Sequence, residues 1–318
     1  MSTTAPYQRR SRFHRKSAGK AVSTSPRDLA IFSLLTRYRY LASNFVHAFV
    51  GGDAIRLKQR LGDLYHEGYL NRPTRQWQAV NARYRPAIYE LDDKAKAALR
   101  WHGMPSEQPT CGGSFAHEFL VGATIASIEL GVRATNQIEF LSPPTSPEQY
   151  RLGTVAEKAI VSITHRGRSL ELSVKPDGYP FALAHRLPDG RRRTLYFPGI
   201  ELDRHTEPVT ATQLERSSIL RKVLAYRELV ASEGYRTQFG FPNMLVPFVT
   251  VNAVHMKHMI ELVLDLTHGR GASYLLFKAM PDFAVDRTVE PNARFLSEPW
   301  QRAAYPPLDL CRELQGAP

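Results

Sequence analysis

The stretch from Lys175 to Glu207 constrains the fold of this chain most. It reads Lys175-Pro176-Asp177-Gly178, then a β-prone segment turned at Leu187-Pro188-Asp189-Gly190. Gly199-Ile200-Glu201-Leu202-Asp203-Arg204 follows, with Thr206-Glu207 close behind. Proline, aspartate and glycine in such runs punctuate strands, so the chain is expected to run out along one strand and return along another. That brings Asp177 and Glu201 to neighbouring strand ends. Two carboxylates held close by a sheet suit a hard divalent cation, Mg²⁺ or Mn²⁺, which takes oxygen ligands and keeps waters for chemistry. The matching substrate is a phosphate. The same residues also read as a plain turn and a solvated strand end.

Charge separates the two ends of the chain. Among 318 residues, 42 Lys and Arg stand against 30 Asp and Glu. Residues 1–100 carry 19 basic and 7 acidic side chains, and residues 101–318 carry 23 of each. All the excess therefore lies in the first third, which points to a polyanion-binding module joined to an electrically balanced one. No long run of consecutive apolar residues predicts a membrane span, and the basic N-terminus lacks the apolar core of a secretion signal. Cys111 and Cys311 alone build neither a disulfide framework nor a cysteine zinc site. The expected location is the cytoplasm.

Residues 1–24 hold Arg9, Arg10, Arg12, Arg15, Lys16 and Lys20 without an acid, and are expected to form a disordered basic arm. Ser25-Pro26-Arg27-Asp28 then supplies an N-cap, a proline in the first turn and an acid behind it. A short helix follows Ser43, Gly51-Gly52 breaks the chain, and Asp53 caps a third helix. In that helix Ile55, Leu57, Leu61, Leu64 and Tyr65 are the apolar positions, interleaved with Arg56, Lys58, Gln59 and Arg60. Tyr69-Leu70 and Ala87–Leu91 read as strands flanking a basic stretch with Arg72, Arg75, Arg83 and Arg85, and a helix from Asp92-Asp93 to Trp101 closes the module. This order over 25–102 is a winged helix-turn-helix. Its third helix is expected in the major groove of duplex DNA, its wing on the backbone.

Gly and Pro mark 103–113 as a linker. Beyond it the patterns read helix (117–133), strand (137–141), a Pro/Ser-rich loop (142–153), strands near 170–175, 179–186 and 194–202, and a long helix (211–233). A strand (244–251), a helix (254–266) and a strand (273–277) follow. His255 and His258 lie one helical turn apart, a spacing that also fits an exposed face. No Gly-x-x-x-x-Gly-Lys loop or Gly-x-Ser-x-Gly elbow occurs.

In this order of elements residues 114–280 resemble the PD-(D/E)XK nuclease superfamily, of restriction-endonuclease-like α/β fold and αβββαβ core. Residues 281–318 are left as a C-terminal extension. The whole chain is similar to the replication-relaxation proteins of plasmids and other mobile elements. The carrying features are the winged helix, the His117 helix, Pro176-Asp177-Gly178 and Glu201-x-Asp203-Arg204-x-Thr206-Glu207. The resemblance implies Asp177 and Glu201 as metal ligands and Glu118 as a further acid on the first helix. Where the nuclease pattern has lysine, this chain has Asp203; Lys222, with Tyr226 one turn on along the same face, is the substitute. Lys175 and Arg204 are other candidates, and an Arg204–Glu207 pair would make the cluster structural. The implied activity is Mg²⁺-dependent phosphodiester hydrolysis. Its alternative is a catalytically inactive regulator or relaxosome accessory protein whose second domain serves dimerisation or partner binding. A winged helix that contacts protein only is a third class. Duplex DNA is the expected partner, with replication or transfer proteins and a second copy of the chain left open.

Overall fold

The computed structural model describes residues 10–19, 21–78, 81–108, 113–135, 137–142, 158–165, 167–204, 207–210, 214, 217–284 and 287–316. Its ten helices and several small sheets make a mixed α and β protein. The chain divides into two compact units, residues 1–109 and 110–318. The division falls inside the Gly/Pro-rich stretch.

In the first unit, α1 (Pro26–Tyr38) begins where Ser25 and Asp28 cap each other's backbone N–H groups. β1 (Leu41–Ala42) leads into α2 (Ser43–Val50), and α3 (Ala54–His66) starts at Asp53, whose carboxylate accepts the Arg56 N–H at 2.7 Å. β2 (Leu70–Asn71) and β3 (Ile88–Leu91) follow, and β3 pairs antiparallel with both β1 and β2. Between them the Gln76 amide takes the place of a strand, exchanging hydrogen bonds with the Ile88 backbone at 2.8 and 2.9 Å. α4 (Asp93–Trp101) closes the unit. Leu57, Leu61 and Leu64 are buried as the helical period requires, but Ile55, apolar like them, is 70% exposed.

The N-terminal arm is a second correction. Residues 10–18 lie against the unit. Arg10 pairs with Asp63, Arg15 with Asp92, Ser17 and the Ala18 N–H with Glu67, and Phe13 packs edge-on against Trp77. Carboxylates distant in sequence supply the anchors that the arm's own composition lacks.

The second unit starts with α5 (Phe115–Thr135), which is long and apolar enough to cross a membrane by length and composition, yet is mostly buried as a core helix. Among the described residues six strands follow it before the next long helix, more than the three of the expected core. β4 (Ile138–Leu141), β7 (Phe181–Arg186) and β8 (Arg192–Phe197) form one antiparallel sheet in the order β4-β7-β8. β5 (Ala159–His165) and β6 (Arg168–Val174) form a hairpin, β5 alternating buried and exposed residues. The strand expected over 194–202 is broken at Pro198-Gly199, and its second half becomes β9 (Glu201–Asp203) in a different sheet. The loop expected from 142 to 153 lies almost entirely outside the described residues.

That sheet runs β13-β12-β11-β10-β9, with β10 (Val246–Thr250) parallel to β9 and to β11 (Ala272–Ala279). α6 (Ile219–Ala231) and α8 (Ala253–Leu266) bury Val223, Leu229, Met259 and Val263 in a core shared with Val246, Phe248 and Phe277. α6 is shorter than the helix expected over 211–233 because Ser218 caps it. Residues 281–318 are no appendage. β12 (Trp300–Ala303) and β13 (Tyr305–Leu308) extend the sheet, and the buried Lys278 ammonium donates to the Arg294 and Glu298 carbonyls at 2.6 and 2.7 Å.

Candidate functional site

Asp177 and Ile200 exchange backbone hydrogen bonds of 2.8 and 2.9 Å, an isolated antiparallel bridge that sets Asp177 beside the start of β9. Two glycines make this possible. Gly199 has φ +148°, and a Cβ there would stand 2.5 Å from the Asp177 carbonyl oxygen; at Gly178 (φ +79°) it would meet Ile125 of α5 at 2.6 Å. Asp177 then turns Oδ2 to the Leu202 N–H at 3.0 Å and Oδ1 to His117 Nε2 at 3.0 Å. Glu201, 4% exposed, accepts from the Tyr226 hydroxyl at 2.6 Å and from Lys222 Nζ at 2.9 Å. Lys222 and Tyr226 are one turn apart on α6 and reach the same carboxylate. Lys222 also meets Glu207 at 3.2 Å, and the Ser217 hydroxyl donates to Glu207 at 3.0 Å.

These groups line a cleft of about 400 Å³ with Lys175, Arg204 and Arg221 at its walls. The Arg221 Nε and Glu207 Oε2 atoms are buried there without a hydrogen-bond partner among the described residues. The structure thus brings together Asp177, Glu201 and Lys222. Glu118 is buried on α5 and does not line the cleft; its neighbour His117 does. Asp203 turns to His255, which lies 2.5 Å away at the start of α8. His255 is therefore engaged inside the fold, and Glu207 pairs with Lys222 instead of Arg204. In the sequence His117 marked the start of the helix that carries the resemblance, but its pairing with Asp177 was not read.

Burial and partners shift the two acids in opposite directions. Burial pushes the Asp177 carboxyl up, but the His117 hydrogen bond and charge, with Lys222, outweigh it and hold the pKa below the ordinary value. Burial pushes Glu201 up to about 7, against the pull of Lys222 and with the help of the Asp177 charge. Burial alone would lower Lys222, yet Glu201, Asp177 and Glu207 hold it well above the ordinary lysine value. His117 is likewise depressed by burial and raised on balance by Asp177. The cleft therefore holds one carboxyl held low, one poised near neutrality and a cation paired with Glu201 and Glu207.

Hard oxygen donors suit Mg²⁺ or Mn²⁺. No group of three or more His, Cys, Asp or Glu closes on one point among the described residues. A cation here would rest on Asp177 and Glu201, with water and phosphate oxygens completing its shell, as is usual for Mg²⁺.

In the first unit α3 leaves Arg56, Lys58 and Gln59 exposed, and Arg75 and Arg83 are exposed between β2 and β3. Two cations expected to contact DNA are used by the fold. Arg60 forks onto Asp28 with bonds of 2.9 and 2.7 Å, and Arg72 is buried, donating to the Tyr89 hydroxyl at 2.8 Å with its guanidinium 4.2 Å from the Tyr65 ring centre. Arg85 is half-buried, its carbonyl bonded by Arg12.

A mixed α/β chain with a basic helical unit and an acid-lysine cleft is the setting in which similarity to known proteins becomes informative. The family model described as replication-relaxation matches residues 32–243, more than half of the chain. The chain belongs to the replication-relaxation family, which ties it to the replication of mobile elements. It matches no curated protein and no solved structure.

Proposed function

We propose that this chain is a duplex-DNA-binding protein of mobile-element replication, its first unit a winged helix-turn-helix that docks α3 in the major groove. The observation that carries this is the exposed face of Arg56, Lys58 and Gln59, backed by Leu57, Leu61 and Leu64 in the core. The order α1-β1-α2-α3-β2-β3, with β3 central, supports the winged-helix reading, and the charge excess of residues 1–100 supports a polyanionic partner. The test is fluorescence anisotropy of the full chain on labelled duplex at fixed salt. Arg56→Ala with Lys58→Ala should weaken binding at least tenfold, about 1.4 kcal/mol, without lowering the melting temperature. Unchanged affinity removes α3 from the interface.

A second reading concerns the other unit, and the convergence of Asp177, Glu201 and Lys222 favours it. The cleft is suited to a phosphodiester, with Arg204 and Arg221 on its walls to meet phosphate oxygens, and its acids to those of the PD-(D/E)XK nucleases. Bound Mg²⁺ or Mn²⁺ would supply an activated water. The chain's own residues would do the rest: Asp177 and Glu201 hold the ion, and Lys222 sets charge against the phosphate as negative charge grows on it. Incubation with supercoiled, linear and single-stranded DNA and either ion tests this. Cleavage by wild type that Lys222→Ala abolishes supports it. No cleavage, with no metal-dependent rise in melting temperature, leaves a DNA-binding regulator whose second unit serves partner binding.

A further inference from the structure

Ile55 is the residue of α3 that the fold does not use. It is 70% exposed, and the helical period puts it on one stripe with Lys58, Gln59 and Gly62. That stripe forms a wall of a groove of about 590 Å³, and Tyr84, 73% exposed, lines the same groove. An isolated exposed apolar side chain needs no explanation. Two facing one groove that is also lined by the cations Arg12, Lys58 and Arg85 do. The Arg83 guanidinium lies 4.8 Å from the Tyr84 ring centre, so this apolar surface is set in positive charge, complementary to a polyanion.

The major-groove edge that matches this surface is thymine-adenine. Thymine presents a C5 methyl to an apolar side chain, and adenine presents N6 and N7 to a glutamine amide. Ile55 and Gln59, four residues apart, are separated by about 6 Å along the helix, close to the rise across two base pairs. We infer that α3 reads A·T base pairs two steps apart, Ile55 packing on the thymine methyl of one and Gln59 bonding the adenine edge of the other. This specificity rests on the DNA-binding reading of the first unit.

Selection of duplexes from a randomised pool by the full-length protein tests both, distinguishably. The selected site should contain A·T pairs whose replacement by G·C costs wild type affinity. Replacing thymine by uracil removes only the methyl, and at one position it should weaken wild type about fourfold, the worth of one buried methyl. Ile55→Ala should show no such uracil effect at that position, and Gln59→Ala should lose most of its preference for adenine over guanine two base pairs away. Both variants should melt at the wild-type temperature, because the side chains are exposed. Equal uracil sensitivity of wild type and Ile55→Ala, a selected site indifferent to A·T, or a lowered melting temperature for Ile55→Ala would overturn the inference while leaving DNA binding intact. Failure to enrich any duplex would overturn the DNA-binding reading itself.

Discussion

Arg60 offers the sharpest separation of fold from function, because the same arginine is a plausible DNA contact by sequence and a structural ion by geometry. Its guanidinium forks onto Asp28, which is 1% exposed, and donates to the Ser23 carbonyl at 2.9 Å. Asp28 in turn caps α1 through the Ser25 N–H and hydroxyl, at 2.8 and 2.7 Å. Arg60→Met keeps much of the aliphatic stem and leaves a buried carboxylate with its cap bonds only. Breaking a fully buried pair costs about 3–5 kcal/mol, and an exposed pair contributes about 0–1. Arg60 is 34% exposed on its side chain while Asp28 is not, so the loss should be about 2 kcal/mol. For a unit of this size that lowers the melting temperature by roughly 8–16 °C.

The pH dependence carries the sign. Burial pushes Asp28 up, but the Arg60 and Ser25 hydrogen bonds outweigh it and its folded pKa is lowered. A lowered carboxyl contributes stability present above its unfolded pKa and lost as pH falls through the folded one. The gap between wild type and Arg60→Met should therefore be full at neutral pH and close in acid below pH 4. Asp28→Asn with Arg60→Met should recover part of the loss in a double-mutant cycle. Differential scanning fluorimetry over pH measures the cycle, with DNA affinity in parallel. An unchanged melting temperature with weakened DNA binding would refute the structural assignment of Arg60.

Three further outcomes follow from the cleft. Gly199→Ala forces a Cβ to within 2.5 Å of the Asp177 carbonyl oxygen at a positive φ and should cost at least about 1–3 kcal/mol, read as a lowered melting temperature; an unchanged melt would mean the bridge can shift freely. Lys222→Met removes the cation opposing the burial of Glu201, so the Glu201 titration, followed by its carboxyl ¹³C shift, should move above its value of about 7; a midpoint that stays or falls contradicts the pairing. Because the folded pKa of Glu201 is raised, the folded state holds a proton that the unfolded chain has released, and stability falls as pH rises from 4.5 towards 7. Glu201→Gln abolishes that term, so its stability relative to wild type should climb across this window in urea titrations; a flat difference refutes the raised pKa.

What the sequence showed and hid follows from distance along the chain. Ser25-Pro26 and Asp53 mark helix starts because capping is local, and Lys222 and Tyr226 share a face because a helix repeats within a few residues. The turn at Pro176-Asp177-Gly178 was equally plain, but the pairing that follows it was not. The hairpin reading joined 194–202 into one strand; the structure sends β8 to β7 and β9 to β10 because Gly199 lets the backbone turn between sheets. Asp28 meets Arg60 across 32 positions, and His117 meets Asp177 across a longer span, so neither contact leaves a periodic trace. The exposure of Ile55 was hidden for a different reason. A β-branched aliphatic at a helical period reads as core, and only the packing of Leu57, Leu61 and Leu64 shows the core face already filled.

The same reasoning changes how the charge of the first unit should be counted. The excess of 12 is a property of composition, whereas affinity depends on cations free to approach phosphates. Arg10, Arg15 and Arg60 are paired with Asp63, Asp92 and Asp28, and Arg72 is buried against tyrosines. Of the cations expected to contact DNA, Arg56, Lys58, Arg75 and Arg83 stay exposed, and none of them forms an ion pair among the described residues. Each phosphate neutralised contributes about −0.9 to the slope of log affinity against log salt, so four contacts give a slope of about −3 to −4. A slope near −10 would mean that the arm leaves its carboxylates on binding, or that the second unit engages the duplex as well. Glu67, which the arm caps through Ser17 and Ala18, distinguishes these: Glu67→Gln would ease release of the arm and raise affinity at fixed salt, with the slope unchanged, only in the first case.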